Sequence, residues 1–350
     1  MSLHLTEETL QLGLRDPFRI ARVDHGSSDV LVTTVVVELR DDRFPGLVGL
    51  GEGYPVRFYG ETPETMSAVF PLLVDAVTDF TPDEPGLEAA DLAMEATIRG
   101  HGAARCAVDI ALHDLVGKVT GRPVHELRGL SADIPPTDFT IGIDEPEIVA
   151  QRAARAAAFP ALKIKCGGPE DLATLEAVRG VFSGPIRVDA NTGWIPEEAV
   201  SLLPELERLG VELIEQPFPA GRLDQLRWLQ ERSSLPIVAD ESCVLPEDLD
   251  RLVGVVAGVN VKLGKCGGIG PAKRMLERAR ALGFKIFLGC MEETSVAIAG
   301  SAVVASLADW VDLDGCLLLA DDPFEGLVLD ADHRWILPDR PGLGLTRQAS

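Results

Sequence analysis

Long apolar runs are missing from this 350-residue chain. None reaches the roughly 18 to 20 residues that a helix needs to span a bilayer, so no membrane span is expected. The first residues, MSLHLTEETLQLGLRDPF, lack the basic start and apolar stretch of a signal peptide, and a cytoplasmic location is the reading. Positive charge is scarce as well: 32 Lys and Arg face 55 Asp and Glu, a formal net charge of −23. Phosphate binding requires a basic surface, so the charge argues against nucleic acid and against an anionic membrane as partners. The six cysteines, Cys106, Cys166, Cys243, Cys266, Cys290 and Cys316, include no CxxC pair. Zinc ligands of the usual spacing are therefore absent, and the scattered thiols read as reduced and packed. His4, His25, His101, His113, His125 and His333 show no pairing that implies a metal site or a triad. His113 lies in an apolar helix, where a packed role is expected.

Core-forming residues are plentiful, at 46% hydrophobic, and the length suits a barrel with a smaller partner. Val30 to Leu39 is rich in β-branched residues, as a strand should be, and Leu47 to Gly53 reads as its hairpin partner. Thr62 to Val77 and Gly86 to Thr97 carry helical spacing, and His101 to Val119 is a helix ended by Gly121 and Pro123. Strands first and helices after make residues 1–125 an α+β capping domain. From about Thr137 the rhythm becomes short strand, turn, helix, repeated. The strands read as 139–143, 161–165, 186–190, 212–216, 237–241, 259–263, 285–289 and 310–314, at intervals of roughly 25 residues. Between them Pro169 to Phe182, Pro196 to Leu209 and Pro271 to Leu282 read as helices, with proline suited to the first turn. The expected fold is α/β, a (β/α)7β TIM-like barrel over residues 126–318. Residues 319–350, with the apolar run GLVLD, are expected to return to the capping domain.

Charges recur at the ends of these strands: Lys163 and Lys165, Asp189, Glu215, Asp240, Lys262, then Asp312 and Asp314. Such ends converge on one mouth, where active sites of this architecture lie. Asp189, Glu215 and Asp240 come from three consecutive strands, and oxygen ligands of that number suit Mg²⁺. Lys163 and Lys165 are two apart on one strand, so both point to the barrel interior. A neighbouring cation should depress the pKa of Lys165, as a lysine base near neutrality requires. Lys262 lies beyond the ligands and faces the substrate from the other side.

The series ALKIK, VDAN, IEQP, ADES and VKLGKCGG resembles the muconate-lactonizing-enzyme-like subgroup of the enolase superfamily, over nearly the whole chain. The resemblance implies Mg²⁺ held by Asp189, Glu215 and Asp240, with Lys165 and Lys262 as the two acid/bases and Lys163 as an auxiliary positive charge. Lys265, three residues further on, is the lesser candidate. These enzymes abstract the α-proton of a carboxylate to give an enediolate. The DxD formed by Asp312 and Asp314 looks like the pair with which dipeptide epimerases of the subgroup hold a substrate ammonium. The implied reaction is a two-base 1,1-proton transfer on the C-terminal residue of a dipeptide.

For specificity, residues 17–26 and 53–61 correspond to the capping loops of the family. Arg22 would pair with an acidic side chain, which points to Ala-Glu. Glu292, where the family often has serine, leaves basic dipeptides open. Other reactions of the subgroup also stay open: o-succinylbenzoate synthesis, N-succinylamino acid racemisation and cycloisomerisation. A chemically distinct alternative is a Schiff-base lysine aldolase. The glycines of GG (167–168) and KCGGIG (265–270) read as tight strand-to-helix turns rather than phosphate loops. A small-molecule dipeptide is the expected partner, and a homo-oligomer the expected state.

Overall fold

The computed structural model describes residues 3–22 and 29–348. His25 and the part of the 17–26 loop that begins at Val23 lie outside the described residues. Three antiparallel strands open the fold: β1 (Leu3–Gly13), β2 (Leu31–Asp41) and β3 (Gly49–Gly53), in the order β1-β2-β3. β2 is buried on both faces along its middle: Val35, Val37 and Leu39 turn into the apolar core of this module, and Val36 turns the other way into the core shared with the barrel. β1, a strand not expected from the sequence, lies along the sheet edge with mostly exposed or half-exposed residues, so its hydrophobic signal is weak.

Helices α1 (Pro63–Ala76), α2 (Glu84–Thr97) and α3 (Gly102–Thr120) cover the sheet. Thr62 and Thr65 form a capping box at the start of α1, and Asp83 caps α2 through the amide of Gly86. α3 is buried from Gly102 to Gly117 because both the small sheet and the barrel press on it. The alternate glycines of LVGLGEG have their reason here: a Cβ on Gly49, Gly51 or Gly53 would collide with backbone carbonyls of α3.

The barrel is built from eight parallel strands in sequential order. They are β4 (Phe139–Ile141), β5 (Leu162–Lys165), β6 (Ile186–Asp189), β7 (Val211–Glu215), β8 (Ile237–Ala239), β9 (Gly258–Val261), β10 (Lys285–Leu288) and β11 (Trp310–Val311). A parallel bridge between Thr137 and Val311 joins the last strand to the first. Several strands end sooner than their sequence pattern suggests. Asp240, Lys262, Asp312 and Asp314 stand just past the strand ends, where backbone amides turn to new partners, as Asp240 N does to Gln216 Oε1 at 2.9 Å. Helix ends shift for the same kind of reason: Asp171–Arg179 is shorter than the apolar pattern around it, and Pro271 is the third residue of Ile269–Ala281.

Inside the barrel, Leu213, Val238 and Phe287 form a small apolar floor. Arg187 lies 5.3 Å from the centre of the Phe287 ring and donates to Asp138 Oδ2 and Glu212 Oε2 at 2.8 Å each. The tail reaches both modules rather than the N-terminal one alone. Leu319 bridges Leu14, Leu343 N donates to Asp114 of α3 at 2.8 Å, and Trp335 Nε1 donates to Leu313 O at 2.8 Å. Among the described residues no helix is long and apolar enough to cross a membrane. All six cysteines are free and buried.

Candidate metal and proton-transfer site

A cavity of about 420 Å³ opens at the C-terminal mouth of the barrel, within the range of small-molecule sites. Its wall includes Lys163, Lys165, Asp240, Lys262, Glu292, Asp312 and Asp314 from the barrel, and Arg22 and Tyr59 from the N-terminal module.

Beneath it lie Asp189, Glu215 and Asp240, all buried, each with a carboxylate oxygen within 4.8 Å of the others. Adjacent strands create this spacing: Asp189 is in register with Glu215, and Asp240 follows the end of the next strand. The set fits a small hard dication. Glu215 Oε2 is fully buried yet accepts no hydrogen bond, while Oε1 is held by Asn260 Nδ2 at 2.5 Å. Burial and the neighbouring Asp189 push the Glu215 carboxyl up to about 8. Burial would raise Asp240 too, but Lys262 and Lys265 hold it well below the ordinary carboxylate range.

Four ammonium groups surround the trio. Lys165 Nζ lies 2.8 Å from Asp189 Oδ2, and Lys262 Nζ lies 3.0 Å from Asp240 Oδ2. The two lysines thus stand on different members of the trio and face one cavity. Lys163 is 3.4 Å from Glu215 Oε2 and 3.8 Å from Asp189 Oδ2, and it pairs closely with Asp312. Burial disfavours the charge of Lys163, but Asp312, Glu215 and Asp189 outweigh it and hold its pKa well above the usual lysine value. Lys262 is raised likewise, with Asp240 overcoming burial.

Lys265, read from the sequence as a loop residue, is in a short helix, Leu263–Cys266. Its ammonium donates to Asp240 Oδ1 at 2.5 Å and to the carbonyls of Asp240, Cys243 and Asn260 at 2.9 Å each. A group so engaged holds Asp240 in place and is not free to move a proton.

Asp312 and Asp314 meet over Thr140. Its hydroxyl donates to Asp312 Oδ1 at 3.0 Å, and its amide donates to Asp314 Oδ2 at 2.6 Å. Burial and Asp312 push Asp314 up to about 7, whereas Lys163 overcomes burial to keep Asp312 far below the usual range. Asp314 has no cationic partner among the described residues, so this corner suits an incoming ammonium.

Arg22 reaches the cavity from the N-terminal module. It donates to Glu241 Oε1 at 2.7 Å and lies 4.2 Å over the Phe58 ring. Glu292, half-buried, lines the same cavity and has no ion pair among the described residues.

The sequence reading passed over Asn191, Gln216, Glu241 and Asn260, which hold or adjoin the trio. Gln216 and Glu241 immediately follow a ligand in the chain and Asn191 comes two residues after one, a signal present in VDAN, IEQP and ADES.

Two family models match the chain. The enolase C-terminal domain-like model covers residues 147–349, and the mandelate racemase / muconate lactonizing enzyme N-terminal domain covers residues 7–129. The L-Ala-D/L-Glu epimerase of Bacteroides thetaiotaomicron is 37% identical over 340 residues, spanning 96% of this chain and 86% of its own length. The L-Lys-D/L-Arg epimerase of Methylococcus capsulatus is 36% identical over 346 residues, 95% of each chain. The crystal structure of a dipeptide epimerase from Enterococcus faecalis, complexed with Mg and L-Leu-L-Tyr, superposes with a TM-score of 0.90 at 31% identity, covering 99% of this chain and 100% of that one.

Proposed function

Because the chain belongs to the mandelate racemase / muconate lactonizing enzyme family, with its enolase-like C-terminal domain, we propose that it is a Mg²⁺-dependent dipeptide epimerase. The observation that carries the reading is the buried trio of Asp189, Glu215 and Asp240 set between Lys165 and Lys262 at one cavity. We take residues 1–125 as the capping domain, 126–318 as the catalytic barrel and 319–350 as the segment that ties them together.

When bound by the trio, Mg²⁺ stabilises the negative charge that develops on the substrate carboxylate. One of Lys165 and Lys262 removes the α-proton of the second residue, and the other returns a proton to the opposite face, so the enediolate is quenched with inversion. Lys163, fixed between Asp312 and Glu215, keeps a positive charge beside the site without leaving its ion pairs. Asp312 and Asp314 hold the dipeptide ammonium and set the distance from the N-terminus to the reacting carbon. Arg22 and Tyr59 line the mouth from the N-terminal module. A Schiff-base aldolase would leave the buried trio of Asp189, Glu215 and Asp240 without a role, which favours the metal-dependent reading.

Arg22 makes Ala-Glu the first dipeptide to test, since its guanidinium lines the cavity and would pair with a second-residue carboxylate in place of Glu241. Glu292 supports a second reading: lining the cavity with no ion pair of its own among the described residues, it favours a basic dipeptide. Screening a dipeptide library for inverted products separates these readings. The same screen with N-succinylamino acids and o-succinylbenzoate precursors covers the other reactions of the family. Inversion of no dipeptide at all would refute the epimerase assignment. The buried, unpaired thiols suit a reducing cytoplasm, and light scattering would check the homo-oligomer expected there.

A further inference from the structure

Asp109 is a buried carboxylate of α3 that takes no part in the cavity, yet it faces the barrel. Its Oδ2 accepts from the amides of Ile269 at 2.6 Å and Gly270 at 3.4 Å, the first two residues of the helix Ile269–Ala281. That helix begins where the segment Lys262–Gly268 ends. An acid of the N-terminal module therefore anchors the far end of the segment that carries Lys262. The near end is fixed inside the barrel by Lys265, through its bonds to Asp240, Cys243 and Asn260.

The contact has no slack. Gly102, Arg105 and Asp109 follow one another on a single face of α3, three and four residues apart. A Cβ on Gly102 would strike the carbonyl of Lys265, one on Gly267 would lie 3.0 Å from the Arg105 guanidinium, and one on Gly268 would collide with the Asp109 side chain. His113 steadies this turn of α3 with a 2.8 Å bond between its Nδ1 and Asp109 O. Lys165 has no comparable need, because it is the last residue of β5 and sits in the strand ladder opposite Asp189. Lys262 comes one residue after β9 ends. Its aim depends on the segment that follows it.

We propose that Asp109 is a positioning residue for Lys262, holding from the N-terminal module the loop that directs this lysine at the substrate α-carbon. The inference rests on the two-base reading above. It predicts that the two faces of the reaction respond unequally when Asp109 is changed.

The test uses the full-length, Mg²⁺-loaded protein and each epimer of a turned-over dipeptide in D₂O. Initial α-proton exchange is measured from both epimers, together with Mg²⁺ affinity and the thermal midpoint. The epimer served by Lys262 is the one whose exchange disappears in Lys262→Ala. In Asp109→Ala, which removes the acceptor of the Ile269 and Gly270 amides, exchange from that epimer should fall about 10- to 100-fold and exchange from the other less than about threefold, the scale of a displacement near 1 Å. Asp109→Asn keeps an acceptor oxygen and should lose much less. Magnesium affinity should stay unchanged. Gly102→Ala presses on the Lys265 carbonyl with the cap intact, and it carries the same comparison if Asp109→Ala does not fold. Equal loss from both epimers, or no loss from either, overturns the proposal. Wild-type protein that exchanges no dipeptide would instead sink the proposed function, and this inference with it.

Discussion

Substitution of Asp314 by Asn separates charge from shape at the corner assigned to the substrate ammonium. In the free protein burial and Asp312 push Asp314 up to about 7. Its ionised fraction therefore climbs from about one in eleven at pH 6 to about ten in eleven at pH 8. A hydrogen bond to a charged group contributes about 1.5–3 kcal/mol, or roughly 10- to 100-fold in kcat/KM. Only the ionised carboxylate gives that gain, so the advantage of wild type over Asp314→Asn grows as pH rises. It should be near the full 10- to 100-fold at pH 8 and shrink to about 2- to 10-fold at pH 6, by the same ionised fractions. The assay is initial-rate epimerisation at saturating Mg²⁺ across that range, with the change expected in KM more than in kcat. An N-acetylated dipeptide, which has no ammonium, should be equally poor with both proteins. A ratio that does not vary with pH would refute the assignment of Asp314 to the ammonium.

Lys165→Ala and Lys262→Ala should each abolish epimerisation while the circular dichroism spectrum stays native, and each should retain α-proton exchange from one epimer only, read by mass spectrometry. Arg22→Met should raise KM for dipeptides ending in Glu by about tenfold or more, the weight of one charge-assisted bond, with little effect on those ending in Val. Stability should depend on metal and pH together. Burial with Asp189 pushes Glu215 up to about 8, burial with Glu52 pushes Glu293 up to about 8, and burial with Asp109 pushes Asp91 up to about 6. The fold therefore holds protons that the unfolded chain has released above about pH 4, and stability falls as pH rises through these values, by up to about 1.4 kcal/mol per unit per group. Melting in EDTA should show a lower midpoint at pH 8 than at pH 6, and Mg²⁺ should flatten the slope by removing the share of Glu215.

The barrel and the trio were legible because each repeats a rule. Eight apolar segments at even spacing announce a closed parallel sheet, and acids at three successive strand ends announce convergent ligands. What escaped the sequence was set by contacts between distant segments. β1 gave little signal because an edge strand with one buried residue, Leu3, needs little hydrophobic alternation. The role of Lys265 depends on three carbonyls and a carboxylate gathered around the ends of the neighbouring strands β8 and β9, a convergence that only the folded backbone creates. The Arg22–Glu241 pair joins residues 219 positions apart, so neither partner names the other in sequence. Strand ends were read too long because the functional residues continue the apolar pattern although their backbone has already turned away.

The central claim is that a dication between two opposed lysines makes an α-proton labile. Deuterium uptake at the second-residue α-carbon of a turned-over dipeptide in D₂O tests it most directly, with Mg²⁺ present, after EDTA, and after Mg²⁺ is restored. Uptake should accompany inversion, vanish on chelation and return with the metal. Inversion that proceeds undiminished in metal-free protein, or without solvent deuterium entering the product, would contradict it.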